Sequence, residues 1–152
     1  MTLPEAIAEA VQLFRAKLPD DETIALLTAM GIPRATAQEI LEFLPLVYAR
    51  ELLRRSGCTG FSETYSRRRN DGTLSAQIPF SRKPVWRECE RHLQRDLAEG
   101  AHGDDLVLIA ARSPEFQSAH QALDQGSEID SLTFAIPVLT YPDDGPLDDP
   151  TP

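Results

Sequence analysis

The sequence predicts an α-rich α+β domain, with about six helices around one central apolar helix and a small antiparallel β-hairpin or sheet. Three observations predict it. Apolar residues recur at helical spacing from Leu3 onward. A later stretch, 40–53, is apolar on nearly every side. Two segments rich in Thr, Tyr, Phe and Ile flank Asn70-Asp71-Gly72, a strong turn signal. At 152 residues the chain is expected to form one globular domain over 1–141. Residues 142–152 (PDDGPLDDPTP) hold four Asp and four Pro and read as a disordered acidic tail.

The first helix opens with Thr2 and Glu5, an S/T-x-x-E capping box, and Pro4 in the first turn. Leu3, Ile7, Val11, Phe14 and Leu18 form its apolar face, which ends before Pro19. Asp20 or Asp21 is expected to cap a second helix with Ile24, Leu27 and Met30 inward. Gly31 closes it, and Ile32 supplies the apolar contact that follows such a glycine. A third helix runs from Pro33 or Arg34 to about Arg55. Its all-round apolar character marks it as central, and Pro45 is expected to kink or split it. Segments 61–66 and 73–80 form the hairpin. Pro84 opens a helix to about Glu99 with Trp86, Cys89, Leu93 and Leu97 inward and Gly100 past its end. Short helices follow after Asp104 or Asp105 and after Ser113. Residues 132–141 read as an edge strand interrupted by Pro137.

The charges are sorted along the chain. Residues 1–49 carry net −4, residues 50–95 carry +6, and residues 96–152 carry −11, summing to −9. Such segregation implies either pairing between blocks or a field aimed at a partner. The basic residues are 13 Arg and 2 Lys, a bias that a GC-rich bacterial genome produces and that favours bidentate contacts to carboxylate or phosphate. Lys83, Arg87, Arg91 and Arg95 repeat every fourth position and make a basic stripe on the helix after Pro84. Arg67, Arg68 and Arg69 sit at the expected hairpin tip. These seven residues are the candidate binding site, expected to form one positive surface. Arg50, Arg54 and Arg55 read as solvated charges at a helix C-terminus. Some arginines are also expected to pair with the acidic last third of the chain.

The segment around Met30-Gly31-Ile32 bears two resemblances. The spacing of Gly31, Ile32, Thr36 and Ile40 resembles the turn of a bacterial helix-turn-helix. The Met30-Gly31-Ile32 turn resembles the loop of a ubiquitin-associated domain. The would-be recognition helix carries Glu39 and Glu42 and only Arg34 as a base, whereas base and phosphate readout needs Arg, Asn, Gln or Lys. Both resemblances reduce to a helix–Gly–helix corner and make no family assignment.

Chemistry-bearing sets are sparse. Cys89 and His92 form a C-x-x-H pair that Cys58 and His102 could extend, but a structural zinc site takes two tight pairs, so no metal is expected. Nucleophile, phosphate-binding and metalloprotease motifs are absent from the sequence. His120, Cys58, Glu63 and Tyr65 remain as scattered candidates, and neither a catalytic residue nor a cofactor is assigned. No apolar run approaches the ~18 residues of a membrane span, and Met1–Glu5 lacks a signal-peptide pattern. A cytoplasmic location is therefore expected. The expected function is a non-catalytic domain that binds a protein through segregated surface charge. Bacterial immunity or inhibitor proteins acting on a toxin or enzyme, and adaptors, are the roles that suit it. A helix-turn-helix-like nucleic-acid regulator and an enzyme with a dispersed site are the alternatives.

Overall fold

The computed structural model describes the backbone of residues 1–55, 59–61, 64–69, 72–78, 80–101 and 103–117. It describes the side chains of residues 1–54, 78, 80–101 and 103–117. The principal helices are α1 (Leu3–Arg15), α2 (Asp20–Ala29), α3 (Arg34–Arg55), α4 (Pro84–Ala98) and α5 (Gly103–Ala110). A further helical turn covers 114–117.

The α+β expectation is corrected. Among residues with described side chains, 77% are helical, in six helices, and none lies in a strand or sheet. Packing explains this. Among the described residues, the buried apolar cluster comes from the helices and their connections, with Ile78 before α4 as a fully buried member. Turn and strand propensities are local signals, whereas the described core is built mainly from helix faces. Outside the helical body, backbone strands Thr59–Phe61 (β1), Thr64–Arg69 (β2) and Gly72–Gln77 (β3) pair antiparallel in that order. The expected strand at 132–141 and the acidic segment 142–152 lie outside the described residues.

Helix α3 is the axis of the fold and packs against α1, α2, α4 and α5. Every residue from 43 to 54 is buried. Pro45 does not split it. The helix continues through Pro45 as one element, because packing on all sides outweighs the single ladder bond that proline removes. Arg50, Glu51 and Arg54 are buried along with the apolar residues, so Arg50 and Arg54 are not solvated helix-end charges. The Arg50 guanidinium lies 5.0 Å over the Phe80 ring. Phe80 and Phe43 both meet Trp86 edge-on, with ring centroids 5.5 Å apart in each pair.

Helix ends follow local chemistry. The Thr2–Glu5 capping box forms in both directions, at 2.8 and 3.2 Å. Asp20 and Asp21 do not cap α2. They occupy its first turn, where carboxylates favour the helix dipole, and Pro19 is the cap residue. Gly31 at φ +99° ends α2, while Ile32 donates to the Leu27 carbonyl at 3.1 Å and is buried. That is a Schellman closure with its apolar contact. Ser113 caps the last described turn by accepting from the Phe116 amide at 3.2 Å.

Candidate functional site

Helix α4 carries the candidate surface. Pro84 fits its first turn because a first-turn amide has no intrahelical partner. At its other end Gly100 adopts φ +97°, and Ala101 donates to the Asp96 carbonyl at 3.0 Å. Between these stops, Val85, Trp86, Cys89 and Leu93 are buried against the rest of the domain. At 3.6 residues per turn, positions 83, 87, 91 and 95 fall on the opposite side.

The structure brings four of the seven sequence-predicted site residues onto this outer face. Side-chain exposure is 62% for Lys83, 59% for Arg91 and 51% for Arg95. Arg87 is half-buried. The stripe has acidic neighbours that stripe spacing alone does not reveal. Lys83 Nζ lies 3.1 Å from Glu39 Oε2 on α3. Arg91 donates to Glu88, and Arg95 Nη2 lies 3.6 Å from the same carboxylate. Glu88 is only 12% exposed, so it is a nearly buried anion held by two exposed cations. Its i+3 spacing to Arg91 was readable on a helix, whereas the Glu39 contact needs the tertiary fold. On the other flank, Glu90 is raised from the usual carboxylate range by burial, against the favourable charges of Arg50, Arg54 and Arg87.

Arg67, Arg68 and Arg69 lie in β2, opposite Leu74, Thr73 and Gly72. Their side chains lie outside the described residues, as do Cys58, Glu63, His102 and His120.

A second polar cluster joins α1, α3 and α4. Asp96 Oδ2 accepts from Arg15 Nη2 at 2.8 Å and from the buried Tyr48 hydroxyl at 2.9 Å. Burial, then the Asp96 charge, pushes the Tyr48 hydroxyl far above its ordinary pKa, so it stays a donor. His92, one turn before Asp96, is held below its ordinary value chiefly by burial. Among the described residues its buried Nδ1 has no hydrogen-bond partner. Cys89 is buried in the core beside this cluster, and burial raises its thiol pKa. A buried thiol held in its protonated form is a poor nucleophile and a poor metal ligand.

Chemically, the outer face of α4 offers several guanidinium groups and one ammonium to an anionic surface. The Asp96 cluster ties three helices together. No protein-family model, curated protein or solved structure matches this chain. Among the described residues no helix is long and apolar enough to cross a membrane.

Proposed function

We propose that this is a non-catalytic, cytoplasmic protein-binding domain whose basic α4 face holds an acidic surface of a protein partner. A bacterial inhibitor, immunity protein or adaptor is the role that suits such a device. The observation that supports the reading is the sharing of Glu88. Arg91 and Arg95 are more than half exposed and converge on one nearly buried carboxylate. Each guanidinium has five N–H donors, and one carboxylate has two oxygens. Arg91 and Arg95 therefore have more donors than Glu88 can accept from, and their exposed guanidinium edges can meet an outside anion. The nucleic-acid alternative gains no support. The α2–α3 corner exposes Glu42 and half-exposes Glu39, and α2 begins with Asp20, Asp21 and Glu22. Such a corner repels phosphate.

The test uses a labelled polyglutamate peptide as the acidic probe and a Lys83→Gln/Arg87→Gln/Arg95→Gln variant. Arg91 is kept so that Glu88 does not lose both partners. Binding to the unaltered protein is expected to weaken as salt rises. The variant is expected to bind about tenfold more weakly, while its unfolding free energy changes by less than ~1 kcal/mol. Unchanged probe binding together with a large loss of stability would show that these cations serve the fold instead.

A further inference from the structure

We infer that the acidic segment 142–152 of the same chain occupies the basic α4 face and competes there with an acidic partner. This rests on the reading of α4 as a binding surface and adds its regulation. The surface itself is described: three cations more than half exposed, placed opposite the buried side of α4. The occupant is named by charge. Residues 118–152, which follow the described chain, contain seven Asp or Glu and no Lys or Arg. Four of the seven form two adjacent pairs, Asp143-Asp144 and Asp148-Asp149.

The dimensions agree. From Lys83 to Arg95 the helix rises about 18 Å. In an extended chain the two aspartate pairs stand at most about 17 Å apart. Both pairs can therefore meet the stripe at once. Reach sets no obstacle, because the chain from Gln117 to Asp143 can extend to roughly 90 Å. Tethering raises the local concentration of the segment to about the millimolar range, enough for weak ion pairs to compete with a free partner. Pro142, Pro146, Pro150 and Pro152 each fix a backbone angle, which lowers the entropy lost on docking.

The chain's lysine content makes the test specific. Lys17 and Lys83 are its two lysines, and Lys83 lies within the stripe. Zero-length carbodiimide crosslinking of the full chain at low salt, followed by peptide mapping, should join Lys83 to an aspartate among 143–149. High salt should abolish that product. The Lys83–Glu39 pair at 3.1 Å serves as the internal positive control. In parallel, an Asp143→Asn/Asp144→Asn/Asp148→Asn/Asp149→Asn variant should bind polyglutamate about three- to tenfold more tightly than the unaltered chain. Crosslinks from Lys83 to Glu39 alone, with equal probe affinity in both proteins, would overturn the inference and leave the binding face standing. If the probe binds neither protein, the binding-face reading fails. The Lys83 crosslink then still decides whether the acidic segment docks.

Discussion

At the scale of single residues, Asp96 is tightly constrained. One of its oxygens takes a charged and a neutral donor, from Arg15 and Tyr48, at the junction of three helices. A nearly buried carboxylate is tolerable only with such partners. His92 shares this environment from the same helix, and it faces charges from two elements. Asp96 and Glu99 favour its protonation, while Arg95 and Arg15 oppose it together with burial. Burial dominates, so the folded protein resists the proton that the unfolded chain accepts near pH 6.5. Proton uptake by the unfolded state then exceeds that of the folded state, and the slope of stability with pH is positive there. Stability is therefore expected to fall as pH drops below about 6.5 and to stop falling, for this group, below its folded pKa. His92→Gln should remove that part of the acid-side slope. Denaturant unfolding of both proteins across this range measures it, and parallel slopes would exclude His92 as the source.

At the scale of elements, helix ends and the central helix carry separate expectations. Helix α1 closes like α2 and α4, with Leu18 donating to the Leu13 carbonyl at 3.0 Å, but Lys17 occupies the left-handed position at φ 64°. A residue with a Cβ is strained there, by roughly 1 kcal/mol. Lys17→Gly is expected to stabilise the protein by about 0.5–1 kcal/mol, read as a rise in the denaturation midpoint without a change in slope. Leu44 on α3 is fully buried. Leu44→Ala should cost ~2–4 kcal/mol, and a loss below ~0.5 kcal/mol would mean that α3 is not the axis of the core. Much of this was legible in the sequence. Gly31 and Ile32 announced the end of α2, and the all-round apolar stretch announced α3. Other features were not legible, for physical reasons. Asp20 looked like a cap, but Pro19 already supplies the extended cap geometry and the aspartates fall one step inside. Pro45 looked like a kink or a split, and the split does not occur because tertiary packing overrides one missing hydrogen bond. Arg50 and Arg54 looked solvated, and their burial depends on Phe80, Glu90 and neighbouring helices that spacing along α3 cannot reveal.

At the scale of the whole molecule, charge and core are separable. The described core cluster runs from Ala6 to Phe116, and the acidic excess of the last third lies mostly after it in sequence. The basic stripe was legible as a period of four, because helical geometry makes any such period a line on one side. Its pairing with Glu88 was readable as an i,i+3 spacing on the same helix, but its pairing with Glu39 was not, since that neighbour is brought by folding. This separation predicts what truncation does. Removing residues 142–152 takes away four aspartates and no member of the described core. Solvated ion pairs contribute little to stability, so the loss should stay below ~1 kcal/mol. For a domain of this size that corresponds to a melting-temperature shift of no more than about 4 °C. The inferred docking predicts a small decrease at low salt, because aspartates held on the α4 face would offset repulsion among its cations. The decrease should vanish at high salt, where the Debye length falls to about 3 Å at 1 M. Thermal unfolding of the full and truncated chains at both salt levels measures the difference. A larger drop that persists at high salt would place apolar contacts of the segment, such as Leu147, against the domain. The electrostatic account of the segment would then be wrong even if the α4 face binds acidic partners.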